Sequence, residues 1–202
     1  MSTLQKRSVA RLLKAMGPHN SSLFLCSLIK HERWAQLDQF LSGCRSHEEA
    51  RIIAEATGPI KIKKNQNLLH FACRFRPPLS IVMQIGNIDG RYFLQPDYNG
   101  QTPLHICTEC GASRSVIKYV LNQYVKATEM RDIYGKTPLI LGCMQLMNCN
   151  KNSSLEQVIL DLSISRKVVL LEDNNGMDAL DFLARKTIPN RALMLLHNIA
   201  YC

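Results

Sequence analysis

The chain has 202 residues, 46% of them hydrophobic and 20% charged, and a formal net charge of +9, proportions that belong to an ordinary globular protein. No membrane-spanning helix organises it: the longest apolar run, Leu23–Ile29, is interrupted by Cys26 and Ser27 and falls well short of the roughly 18 to 20 residues a span needs. Eight cysteines without framework spacing argue against a disulfide scaffold and for a reducing compartment.

Met1–Lys30 contains no acidic residue. Lys6, Arg7, Arg11 and Lys14 accompany Val9, Leu12, Leu13 and Met16, which are spaced as one helical face. A transit peptide has this composition, and so does a membrane-surface or calmodulin-type segment. The favoured reading of residues 1–19 is a capping helix or basic tail, because a degenerate helix pair begins near residue 20. There Ser22, Phe24, Leu37, Phe40 and Leu41 fall where a cap, a buried first-helix position and second-helix apolar positions belong, with Trp34 packed among them. Between Ser42 and Lys61, His47–Ile53 reads as an extra helical turn, ended by Gly58-Pro59.

Four segments then recur. Lys63–His70, Asp97–Cys107 and Asp132–Leu139 follow one another at 35 residues, and Asp173–Leu180 comes 41 residues later. The first-helix cap column is Asn67, Thr102, Thr137 and Asp178, all able to accept a bond from an unpaired first-turn amide. Leu68, Pro103, Pro138 and Ala179 follow, and proline suits a first helical position that donates no intrahelical bond. Next comes leucine throughout, as Leu69, Leu104, Leu139 and Leu180. Asn65, Gly100, Gly135 and Gly176 precede the cap by two and tolerate positive φ. Asp97, Asp132 and Asp173 can brace that turn by side-chain bonds to the backbone. Ala72, Cys107 and Gly142 form a small-residue column, with Leu183 its exception.

The second helix keeps the same register. Ile81-Val82, Val116-Ile117 and Ala192-Leu193 stand 14 and 15 residues after the cap, with Ile85, Val120 and Leu196 four residues later on the same face. In the third copy the matching Val158-Ile159 and Leu162 are displaced by six, which is also the excess of the 41-residue spacing over 35. One insertion within Gln145–Ser154 accounts for both. Arg191, His197 and Asn198 make the outer face of the last helix polar enough to cap the stack.

The segment Asp97–His105 resembles the ankyrin repeat, whose period is about 33 residues and whose signature contains Thr-Pro-Leu-His-x-Ala. The resemblance covers roughly residues 20–200. It implies an all-α solenoid of about five stacked helix-turn-helix repeats with short β-turn fingers, placed near residues 20–61, 62–96, 97–131, 132–172 and 173–202. In that family the histidine at His70 and His105 ties neighbouring repeats together, and Ile140 and Asp181 at that position interrupt the network. The family holds other proteins on a concave surface of fingers and first helices. Mapped here, the finger tips are Tyr98, Asn99, Gln101, Ile133, Tyr134, Lys136, Asn174, Asn175 and Met177. The first helices add Arg74, Phe75, Glu109, Cys110, Met144 and Gln145. The implied protein is a non-catalytic adaptor or scaffold without a cofactor, monomeric by itself and cytoplasmic or nuclear unless its basic start targets an organelle.

Other chemistry finds little support. Cys107-x-x-Cys110 near His105 lacks the second pair that would complete four zinc ligands, and Cys73, Cys107 and Cys143 read as small core residues. Cys110 and Cys149 are the expected exposed thiols. No nucleophile or carboxylate motif gives His70 or His105 a catalytic partner, and the glycines match no phosphate loop. The charge excess is local: Lys61, Lys63, Lys64, Arg74, Arg76 and Arg91 face only Asp89 across residues 61–95. Such a patch suits an acidic protein surface, or nucleic acid in a chromatin-associated factor. No nucleic-acid module or interleaved base-stacking aromatics accompany it.

Overall fold

The computed structural model describes residues 3–42, 66–148, 153–185 and 191–201. The regular elements among the described residues are α1 (Thr3–Lys30), α2 (Trp34–Ser42), α3 (Leu68–Cys73), α4 (Leu79–Ile88), α5 (Pro103–Glu109), α6 (Arg114–Gln123), α7 (Pro138–Asn148), α8 (Ser153–Leu162), α9 (Arg166–Val169), α10 (Ala179–Ala184) and α11 (Arg191–Tyr201). Among the described residues two 3-10 turns, Gly90–Phe93 and Val125–Glu129, accompany them and no strand does.

The helices form two rows. In the first row α3 lies between α1 and α5, α5 packs on α7, and α7 on α10. In the second, α2, α4, α6, α8 and α11 pack in succession, and each second-row helix also packs on the first-row helix before it. This order follows from burial. Leu69, Leu104 and Leu139 are fully buried, and so are Ile81, Val82, Ile85, Ile159, Leu162 and Leu196. One apolar cluster runs from Leu25 to Ala200. Pro103–Thr108 and Pro138–Cys143 are buried on every side, so a lone pair would expose most of what it covers here. The small-residue column permits the close approach: a Cβ on Gly142 would stand 3.2 Å from Thr108 Cγ2. On the outer row, Arg114 forks onto Asp161 at 2.6 and 2.9 Å, and Gln84 donates to Asp38 at 2.8 Å.

The first pair departs from the expected register. Gly17 adopts φ 74° and ψ 164°, a kink inside α1, and helix resumes at Pro18, a residue suited to a first helical position. Ser22 therefore lies within a helix and does not cap one. Phe24 is 40% exposed and tilted against Phe40 at 5.9 Å, while Leu25 takes the buried place. Part of the six-residue insertion lengthens a helix, since α7 has 11 residues where α5 has 7. Gly86 makes room for the first 3-10 turn, because a Cβ there would meet the Phe93 ring at 2.5 Å. The outer face of α11 is mixed and not simply polar: beside Arg191, His197 and Asn198 it exposes Met194 and Tyr201. The expectations for His47–Ile53, Gly58-Pro59, Lys61, Lys63, Lys64, Asn65 and Cys149 lie outside the described residues.

Candidate functional site

Each described turn is built by its aspartate. Asp97 Oδ1 accepts the amides of Asn99 (2.8 Å) and Gln101 (3.1 Å). Asp132 Oδ1 accepts those of Tyr134 (2.9 Å) and Lys136 (2.8 Å), and Asp173 Oδ1 those of Asn175 (2.8 Å) and Met177 (3.2 Å). The main chain closes the same loops, with Gly100, Gly135 and Gly176 donating to the three aspartate carbonyls at 2.9 to 3.1 Å. The glycines sit at φ 72°, 78° and 73°, the left-handed region that other residues enter at a cost. Burial would raise the Asp173 carboxyl, but the amides of Asn175 and Met177 outweigh it and hold its pKa low.

Turns of successive pairs are stitched together. Ile133 N donates to Asn99 O at 2.9 Å, and Asn174 N to Tyr134 O at 3.0 Å. Below them stand the caps. Asn67 Oδ1 accepts from His70 N at 3.0 Å, and Asp178 Oδ1 from Asp181 N at 2.9 Å. Thr137 Oγ1 accepts from Ile140 N at 3.3 Å. His105 Nδ1 accepts the Thr102 amide at 3.1 Å while Nε2 meets Met130 O at 3.1 Å. His70 repeats this with Asn67 N at 3.4 Å and Gln101 O at 3.0 Å. One ring nitrogen must accept and the other donate, so both rings are neutral. Burial lowers both pKa values to about 4. Ile140 offers no such side chain, and Asp181 Oδ2 binds back to Asp178 N at 3.1 Å, so the fourth and fifth pairs lack the histidine link.

The residues expected at the tips divide. Tyr98, Ile133 and Tyr134 are 72%, 52% and 61% exposed, and Lys136 Nζ lies 5.8 Å from the Tyr134 ring centroid. Gln101 is a correction: it is buried, its Nε2 donating to Glu109 Oε2 at 3.0 Å. A side chain one position before the cap points along its own helix toward the residue eight further on. Arg74 donates to Gln66 at 3.3 Å and Arg185 contacts Met177 Sδ at 2.9 Å by the same spacing. Asn99 is half-buried, Asn174 Nδ2 donates to Ile133 O at 3.0 Å, and Asn175 turns back to Asp173. Phe75 is half-buried against Phe71, ring centroids 5.3 Å apart. Gln145 Nε2 donates to Glu109 O at 2.7 Å, and Met144 is half-buried.

Arg76 belongs to the expected basic patch, and two further cations, Arg131 and Arg185, were not expected here. Arg76 is exposed, sits at φ 51° and donates Nε to Cys110 O at 2.8 Å. Its counterpart 35 residues on is Gly111, at φ 67°, so the repeat itself marked a left-handed position there. Arg131 donates to Gly135 O at 3.1 Å, and Arg185 stands on the last pair. Among the described residues the ion pairs are Arg91–Asp89, Arg114–Asp161 and Lys167–Glu129. Arg91 is thereby withdrawn from the basic patch, while Arg74, Arg76, Arg131, Lys136 and Arg185 have no carboxylate of the described residues within ion-pair distance.

The described thiols lie in or beside the core. Cys107 Sγ lies in the core 2.8 Å from Cys73 Sγ, and Cys110 is only half-buried at its helix end. Burial pushes the Cys107, Cys110 and Cys143 thiols up, away from the reactive thiolate. Among the described residues no group of three His, Cys, Asp or Glu is placed to hold a metal, and no helix is long and apolar enough to cross a membrane.

No protein-family model matches the chain. Over 97 residues it is 32% identical to a protein of Acanthamoeba polyphaga mimivirus described as "Putative ankyrin repeat protein L86". The match takes in 48% of this chain and 16% of that protein, so the chain corresponds to a small part of its relative. The likeness hints at ankyrin-like repeats and, with them, at a protein-interaction module.

Proposed function

We propose that the chain is an ankyrin-type array of about five helix pairs that binds another protein without catalysis, on its turn tips and the adjoining ends of its first-row helices. The observation that carries this reading is the division of roles within each turn. Aspartate, glycine, cap and histidine groups are all engaged in bonds within the chain, while the side chains between them are exposed and differ from copy to copy: Tyr98, then Ile133 and Tyr134, then Asn174 and Asn175. A surface whose scaffold is fixed and whose display varies suits recognition. Tyrosine and arginine are the usual anchors of such surfaces. The resemblance to the viral relative supports the same class.

The test is quantitative capture with the intact chain, followed by calorimetry on the protein recovered. Tyr98→Ala with Tyr134→Ala should weaken that binding by about tenfold or more, and Met83→Ala on α4 should leave it unchanged. Equal binding by both variants would overturn the assignment of the face.

A further inference from the structure

We propose that the docking segment of the partner is an acidic, extended peptide with an apolar or aromatic side chain among its carboxylates. It would run from the C-terminal ends of the first-row helices to the turn row, with its carboxylates on Arg74, Arg76 and Lys136 and its apolar group on Tyr98 and Tyr134. The inference rests on the protein-binding reading above and adds the chemistry of the occupant.

Charge points this way first. The turn aspartates are buried and saturated by backbone amides, so their charge is withdrawn from the surface, while exposed Arg74 and Arg76 at the end of α3 and half-buried Lys136 in the second turn keep theirs on it. Glu109, Glu172 and Asp181 stay on it as well, and Gln101 holds the Glu109 carboxylate. Arg76 adds a second observation. It occupies a left-handed position where the next pair has Gly111, and its Nε reaches the Cys110 carbonyl of that pair. A guanidinium is thus held across two helix pairs, and its planar fork suits a carboxylate.

The form of the peptide follows from what the turns withhold. The Ile133 and Asn174 amides already bond the neighbouring turns, so a partner gains no ladder of main-chain bonds there and must be read through side chains. The exposed rings of Tyr98 and Tyr134 lie on consecutive turns, with Ile133 beside them. An aromatic or aliphatic group between carboxylates meets both features. Nucleic acid fits less well, because Lys136 stands over the Tyr134 ring, which would otherwise stack on a base.

The test uses the full chain and three labelled probes in fluorescence anisotropy. The first is a glutamate-rich peptide of about ten residues, roughly 35 Å when extended, with a central Phe-Leu. The second carries Gln at every Glu position, and the third is a single-stranded oligonucleotide of similar length. The acidic peptide should bind about tenfold tighter than its neutral twin at low salt, and the preference should shrink as salt rises from about 0.05 to 0.5 M. Arg74→Glu and Lys136→Glu should each remove most of that preference. Arg76→Gly should weaken it while the melting temperature holds, since glycine accepts the same backbone conformation. Equal binding of the two peptides, charge reversals without effect, or tighter binding of the oligonucleotide would each overturn the inference. If Tyr134→Ala abolishes binding of the captured protein while the charge reversals do nothing, the acidic occupant falls and the protein-binding face survives. If Tyr134→Ala changes nothing either, both fall.

Discussion

Acidification from pH 7 to 5 should destabilise the chain through His70 and His105. In each ring Nδ1 accepts a main-chain amide and Nε2 donates to a carbonyl of the next turn, so a second proton would set N–H against N–H inside the core. Burial is the largest cause of the low pKa, about 4 against an ordinary 6.5. That gap corresponds to about 3 kcal/mol per histidine once both states have titrated. Because the folded value is the lower one, the unfolded chain binds more protons between the two. Stability is therefore complete above about pH 6.5 and falls as pH drops toward 4. At pH 5 the unfolded imidazoles are nearly all charged and the folded ones nearly all neutral, which gives a loss of about 2 kcal/mol per site and about 4 for the pair. Asp89, held low by Arg91, and Asp161, held low by Arg114, titrate below this window and contribute little to it. Urea unfolding followed by circular dichroism reads the effect in the intact protein, His70→Gln and His105→Gln. Each variant should be weaker at pH 7 through its lost bonds, yet lose about 2 kcal/mol less than the parent between pH 7 and 5. A parent whose stability is flat over that range, or variants that keep its full slope, would refute the neutral-ring geometry.

Three further outcomes are expected. Gly135→Ala should cost at least about 2 kcal/mol more than Gly176→Ala in thermal unfolding: both glycines have positive φ, but a Cβ on Gly135 would come within 2.6 Å of Asn174 N, whereas that on Gly176 meets nothing nearer than 3.9 Å. Asn67→Ala should destabilise by about 2 kcal/mol in urea, because Asn67 both caps α3 and donates to Tyr92 O at 3.0 Å; Asn67→Asp should recover the cap alone. Arg114→Ala should cost clearly less than Asn67→Ala in the same urea assay, with the difference from the parent fading in high salt, since the arginine side chain of that fork is 41% exposed.

The amino-acid sequence by itself determined where the first-row helices of the second to fifth pairs start and which of their residues point inward. A cap, a proline at the first helical position or a glycine turn acts on amides no more than four residues away, so Asn67, Thr102, Thr137 and Asp178 carry their information locally. The leucine column and the second-helix apolar positions are equally readable, because a recurring period makes every copy a check on the others. Gly17-Pro18 carries the same kind of local boundary signal, which the reading of Ser22 as a cap overlooked. Tyr98 and Tyr134 could also be placed, being large side chains at turn positions with no bonding role. Tertiary structure alone decided the reach of Arg76 to the Cys110 carbonyl, the space that Gly86 leaves for Phe93, and the bonds of Ile133 and Asn174 to the turns before them. Those outcomes depend on atoms from the next turn or helix, and the distance between such groups is set by how closely neighbouring helices pack, a quantity that no spacing along the chain encodes.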